Sequence, residues 1–175
     1  MNSRIKLDEI GPIISSSHLV SEKAVELSEF EFGLIIANNA FERWMTRCMA
    51  AAGVPDLNAL DVLVLHSTNH RDRAKKLADL CFVLNVEDTH TVNYALKKLE
   101  KIGLVESTKK GKEKFFTTST KGKEACMRYR DIREKCLVNS LQAIGYVPSE
   151  TTMGARLMRT LSGLYDQAAR AATSL

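Results

Sequence analysis

The stretch Asn85–Phe116, "NVEDTHTVNYALKKLEKIGLVESTKKGKEKFF", decides the fold. It opens polar, passes into a helical pattern and ends in two short β-like runs around a lysine-rich tip. Val92, Leu96, Leu99 and Ile102 recur at spacings of four and three, one apolar stripe of a helix. Gly103 stands where such a helix needs a residue that adopts a left-handed backbone. "LVEST" and "FFTTS" read as strands, and "KKGKEK" between them as a hairpin turn.

Helical patterns extend on both sides. Upstream, Ser28 with Glu31 three residues on has the form of a capping box. Phe30, Leu34, Ala37, Phe41, Trp44, Cys48 and Ala52 then keep steps of three and four, and Gly53 and Pro55 stop the helix. A second helix fits Asn58–Ser67, with Leu60, Leu63 and Val64 inward. A third fits Asp72–Leu84, with Ala74, Leu77, Ala78, Cys81 and Leu84 inward, and Asn85 suits its end. Downstream, a fifth helix opens near Ser119 or Thr120, carries Ala125, Tyr129, Ile132, Cys136 and Leu141 inward, and ends near Gly145. A sixth starts at Ser149 after Pro148, with Met153, Leu157, Leu161, Leu164 and Ala168 inward.

The expected fold class is therefore mainly α with a small β-hairpin wing: a winged helix-turn-helix core flanked by long helices. Residues 58–118 form the core, residues 28–57 and 119–175 a helical region for dimerisation, and residues 1–27 an N-terminal arm. The first, fifth and sixth apolar stripes exceed what one small winged helix needs to cover itself, which points to a homodimer, with packing inside one chain as the other reading.

Charge placement fits a polyanionic partner. The segment His70–Lys123 holds 13 Lys and Arg against 7 Asp and Glu, whereas the remainder holds 12 against 14. A helix of this width fits the DNA major groove, and its exposed residues read base edges. His90, Thr91, Asn93, Tyr94, Lys97 and Lys98 are the candidates there, with Lys101 also on that face. Asparagine pairs with adenine through two hydrogen bonds, and lysine donates to guanine. The hairpin offers Lys109, Lys110, Lys112 and Lys114 to the adjacent phosphates or minor groove. The competing class is a winged-helix protein-interaction module with ordinary solvated charges.

Residues 76–125, "KLADLCFVLNVEDTHTVNYALKKLEKIGLVESTKKGKEKFFTTSTKGKEA", resemble the winged-helix core of the MarR family of bacterial regulators. The likeness extends from Phe30 to Ala169 through the order of the flanking helices. Residues 27–54 resemble one alphaproteobacterial branch of that family in particular. The resemblance implies a homodimer on near-palindromic double-stranded DNA, tuned by a small aromatic effector and controlling cell-wall or stress genes. It places the effector between the dimer helices and the winged helix, where Phe41, Trp44, Met45, Thr46 and Cys48 offer aromatic walls and one hydroxyl; Phe41 and Trp44 read equally as dimer core. Two departures stand out. The wing lacks the family's Asp-x-Arg-x-x-Arg pattern and carries lysines alone, and the turn before "TVNYALKKLE" is one residue longer.

Other chemistry finds little support. His66 and His70 have a metal-binding spacing, with Asp61 or Cys81 as a third ligand, but the helix is expected to end near Ser67, so no metal is assigned. No nucleophile elbow, phosphate loop or dinucleotide loop occurs, so no catalytic residue, enzyme activity or cofactor is expected. Cys48, Cys81, Cys126 and Cys136 form no CxxC pair and read as thiols, three of them (48, 81 and 136) on apolar faces. No apolar run is long enough to span a membrane and no signal peptide is expected, so the expected location is cytoplasmic.

Overall fold

In the computed structural model the described residues are 25–143, 145 and 147–175. The expected N-terminal arm lies outside them, except that residues 25–27 already belong to helix α1 (Val25–Ala51). Ser28 therefore sits inside this helix, and the capping box expected there does not start it. α1 is followed by α2 (Ala59–Asn69), α3 (Leu77–Leu84), α4 (Thr89–Lys101), strands β1 (Val105–Lys110) and β2 (Glu113–Thr118), α5 (Thr120–Arg133), α6 (Asn139–Ala143) and α7 (Pro148–Ala172). Among the described residues no helix is long and apolar enough to cross a membrane.

Local chemistry sets these boundaries. Asn58 caps α2: its side chain accepts the Asp61 N–H at 2.8 Å, and the Asp61 carboxylate accepts the Asn58 N–H at 3.0 Å. α1, α3 and α4 all end in left-handed residues, Gly53, Asn85 and Gly103. In each case the next N–H reaches back five residues: Val54 to Met49, Val86 to Cys81 and Leu104 to Leu99, at 2.9–3.1 Å.

The chain divides into two compact units, one ending at Ile132 and the other beginning at Arg133. The core of the first is built from the C-terminal half of α1 (Met45, Cys48, Met49, Ala52), from Val62, Val64 and Leu65 of α2, and from Leu80 and Cys81 of α3. Val92, Leu96 and Leu99 of α4, Leu104, Val105 and Phe116 around the wing, and Ala125, Cys126 and Tyr129 of α5 complete it. Burying this set supplies the main driving force of the fold, at about 25 cal/mol per Å² of apolar surface.

Three expectations are corrected. The third helix does not begin at Asp72. Residues 70–72 form a tight turn in which Arg71 and Asp72 are both left-handed (φ 61° and 45°). Lys75 is then extended and pairs with Phe116 of β2 through N–H···O bonds of 3.0 and 2.8 Å. Its side chain is 5% exposed. Its ammonium donates to the Thr68 carbonyl at 2.9 Å and the His70 carbonyl at 2.6 Å, so it ties the end of α2 to the base of the wing. Burial and the nearby Arg73 charge lower the Lys75 pKa, against the opposing pull of Asp72 and Asp79. Secondly, the short α3 turns Leu80 and Cys81 into the core and leaves Ala74 and Ala78 exposed. Thirdly, Cys126 is buried and Cys136 is exposed, the reverse of the sequence reading. Residues Glu134–Val138 form a π-helical turn. The wider turn shifts the side-chain phase, so a stripe carried at constant period past Ile132 loses its face at Cys136, while Cys126, ahead of the turn, is buried beside Ala125 and Tyr129. Burial pushes the Cys81 thiol up and the Cys126 thiol up to about 11, which keeps both protonated.

The second unit consists of the remainder of the α5 path, α6 and α7. Met153, Leu157, Met158 and Leu164 of α7 are exposed in the single chain, as are Ile35, Ile36 and Phe41 of α1 in the first unit.

Candidate nucleic-acid interface

The fourth helix has one buried face and one open face. Val92, Ala95, Leu96 and Leu99 face the core. Asp88 caps it, accepting the His90 N–H at 2.9 Å on its carboxylate, while its carbonyl accepts the Thr91 hydroxyl at 2.7 Å. His90, Thr91, Tyr94 and Lys97 lie exposed on the opposite side, and Asn93 is half-buried beside them. An exposed tyrosine ring among polar neighbours on a helix leaves both its face and its hydroxyl available for contact.

Lys98 is placed differently from its neighbours. Its ammonium lies 2.6 Å from Asp61 Oδ2 and 2.6 Å from the Asp56 carbonyl. This pair fastens α4 to the start of α2. The sequence reading groups Lys98 with the DNA-facing residues, but the structure commits its charge to a partner within the protein.

The wing turns at Gly111–Lys112, with a left-handed backbone at Gly111 alone (φ 63°), the pattern of a II′ hairpin. Lys109 pairs with Lys114 in the register and Lys110 with Glu113. Two lysines directly opposite repel. Lys114 relieves this by turning to Glu100 Oε2 at 2.9 Å and covering the Phe116 ring at 4.8 Å. Burial works to raise the Glu100 carboxyl, but hydrogen bonds from Ser107 and Lys114, with the Lys114 charge, bring it below its usual value. Lys109, Lys110 and Lys112 remain as the outward charges of the tip. The open face of α4 and this tip flank a cavity of about 380 Å³ whose walls include Lys76, Thr89, Asn93, Glu113, Lys114 and Phe116.

The five residues expected to hold an effector divide. Met45 and Cys48 are buried in the core of the first unit, and the Cys48 thiol donates to the Tyr129 carbonyl at 3.5 Å. The Thr46 hydroxyl bonds back to the Glu42 and Arg43 carbonyls of its own helix. Phe41 is exposed and Trp44 half-buried. The two histidines are not brought together as a pair of ligands. His66 packs edge-on against Tyr129, with ring centroids 4.6 Å apart, and burial lowers its pKa. His70 lies beyond the end of α2 and is exposed. Among the described residues no cluster of His, Cys, Asp or Glu is suited to hold a metal ion.

Sequence reasoning missed Lys76 at this surface. A third helix starting at Asp72 would hold it in the helix interior, and only the pairing of Lys75 with the wing shows that Lys76 stands at the helix start, facing Glu113.

Residues 57–122 match the family model described as a winged helix DNA-binding domain. No curated protein matches the sequence. Among solved structures, a mutant MarR from E. coli complexed with operator DNA is similar over 81% of this chain and 99% of its own, with a TM-score of 0.64 at 18% identity. The transcriptional regulator BldR from Sulfolobus solfataricus is similar over 80% of this chain and 98% of its own, with a TM-score of 0.62 at 17% identity. A MarR-family transcriptional regulator from Rhodococcus sp. RHA1 gives 77% and 92%, with a TM-score of 0.59 at 12% identity. At these identities the likeness establishes the fold, a winged helix with flanking helices.

Proposed function

We propose that this chain is a MarR-type transcription regulator that binds near-palindromic duplex DNA as a homodimer, with a small aromatic effector adjusting its affinity. The observation that carries the reading is the juxtaposition of the open α4 face (His90, Thr91, Asn93, Tyr94, Lys97) with three outward wing lysines, on a segment that matches a DNA-binding domain. The fold is also that of the E. coli MarR mutant complexed with operator DNA. The α4 side chains would read base edges, and the wing would hold phosphates.

Dimerisation through residues 28–57 and 119–175 is supported by the large apolar side chains left open on α1 and on α7, more than scattered surface residues would supply. A two-fold dimer would place its α4 helices in half-sites about one DNA turn apart. Light scattering at micromolar concentration should give about twice the 19.5 kDa of one chain. A compact monomer that still binds DNA would overturn the dimer. For the effector, Phe41 and Trp44 supply aromatic surface that a single chain leaves at least partly open. The finer likeness to the regulator LdtR, and with it the control of cell-wall or stress genes, rests on residues 27–54 alone.

A salt titration on operator and random DNA tests the reading. Replacing Lys110 and Lys112 by alanine removes up to four phosphate contacts from a dimer. Log affinity falls with log salt by about 0.9 per contact, so the slope should shrink by roughly 2–4 units on both DNAs alike. The preferred sequence should stay the same, because lysine ammoniums at a hairpin tip neutralise phosphates and do not read bases. An unchanged slope would mean that the wing does not reach DNA.

A further inference from the structure

We propose that Lys76 is a further phosphate contact, held in reserve by Glu113, so that Glu113 limits the protein's affinity for DNA. The inference rests on the DNA-binding reading above.

Three observations carry it. First, the Lys76 ammonium lies 2.6 Å from Glu113 Oε1, and both side chains are well exposed to solvent. Secondly, the Lys76 ammonium sits 5.4 Å from the centre of the Phe115 ring, and the Lys110 ammonium sits 5.7 Å from the same ring. Phe115 thus has two cations against its ring. Thirdly, Lys76 and Glu113 both line the cavity between the start of α3, the face of α4 and β2. A phosphate strand running from the recognition face to the wing tip would pass over it.

Glu113 is the one acid between Lys109 and Lys114. Its carboxylate would face incoming phosphate, and it occupies a cation that phosphate could use. An exposed ion pair of this kind is weak, so it exchanges readily. Phosphate, with its larger charge and additional oxygens, would displace the carboxylate and take Lys76, while Lys110 stays on the Phe115 ring. Glu113 would then act as a removable counter-ion that sets how much of the surface charge is free before DNA arrives.

The test is a two-residue cycle on the full chain: parent, Glu113→Gln, Lys76→Ala and the double variant, each titrated with operator DNA at several salt concentrations. Glu113→Gln should tighten binding about threefold per protomer, or about tenfold in a dimer. The salt slope should stay close to that of the parent, since Lys76 reaches phosphate in both, whereas Lys76→Ala should shrink it by roughly 2 units, one lost contact on each protomer. In the Lys76→Ala background the same substitution should gain almost nothing. Equal gains in both backgrounds would show that Glu113 acts only as general negative charge, and would overturn the inference alone. No gain in either background would do the same. A second readout needs no DNA: footprinting with an amine-reactive reagent should modify Lys76 faster in Glu113→Gln than in the parent. A parent that binds no DNA would sink the DNA-binding reading and this inference together.

Discussion

Replacing Gly122 with alanine should lower the thermal midpoint of unfolding by about 6–12 °C. Gly122 lies in the first turn of α5 and is buried. A Cβ built there would come within 2.7 Å of Thr118 Cγ2 and 3.1 Å of the Leu104 carbonyl carbon, and closer still to the Leu104 oxygen. The obstacle is main chain, which cannot swing aside as a side-chain tip can. The surrounding hydrogen bonds fix it further. The Leu104 carbonyl accepts the Ser119 N–H at 3.1 Å. The Ser119 hydroxyl donates to the Gly103 carbonyl at 2.7 Å and accepts the Gly122 N–H at 3.0 Å. Making room therefore means pulling α5 off the junction between α4 and the wing. Overpacking of this severity belongs at or above the upper end of the usual cost, about 3 kcal/mol, and a chain of this length loses about 2–4 °C for each kcal/mol. A thermal melt followed by circular dichroism measures it. A midpoint within about 2 °C of the parent, the shift of a single kcal/mol or less, would mean that α5 does not pack this closely.

Lys98→Met should cost about 3 kcal/mol of stability, while Lys97→Met, one residue earlier, should cost almost none. Asp61 is 1% exposed and Lys98 supplies its counter-charge. Without the lysine the carboxylate is left buried with only the Asn58 N–H on Oδ2, while Oδ1 has no hydrogen-bond partner. Removing one member of a buried pair costs about 3–5 kcal/mol. The lower figure applies because the Lys98 side chain is 31% exposed, so solvent already screens part of the attraction. Urea denaturation of both variants, with DNA affinity measured on the folded fraction, separates the two roles. Lys97→Met should weaken DNA binding and leave the urea midpoint in place. If Lys98→Met behaved in the same way, Lys98 would be a DNA contact after all.

Lys97 and Lys98 also show how far the sequence can be read. The stripe of Val92, Leu96 and Leu99 is a local pattern, and from it the buried face of α4, its open face and the hairpin beyond Gly103 all follow. The partner of Lys98 lies 37 residues away in the chain, and no spacing rule connects Asp61 with it. The same limit explains Lys75 and Lys76. A 3/4 pattern runs through Ala74, Leu77, Ala78 and Cys81 and suggests continuous helix, whereas the backbone between Arg73 and Lys76 is extended against β2. Pairing between distant strands leaves no periodicity in either segment. Cys136 is misread for another reason: one π turn breaks the constant helical period, whereas Cys126, ahead of that turn, widens the buried face of Ala125 and Tyr129. The effector residues are the least legible. Five neighbours on one helix cannot all face one cavity, and Met45 and Cys48 face the core.

If the protein binds DNA as proposed, the buried side chain of Lys75 sets what salt leaves intact. Its partners are the Thr68 and His70 carbonyl oxygens, and the lysine side chain itself is shielded from solvent. Ions in solution weaken interactions between exposed charges over a screening length of about 8–10 Å, and do so much less for buried ones. The lysines of the wing tip and Lys97 of α4 are exposed, so a rise in ionic strength would loosen the hold on phosphate proposed for them. Lys75 keeps its grip on Thr68 and His70 under the same conditions, and the wing stays joined to the end of α2. Release from DNA by salt would then leave the junction of α2 and the wing in place, ready to rebind once the ions are diluted.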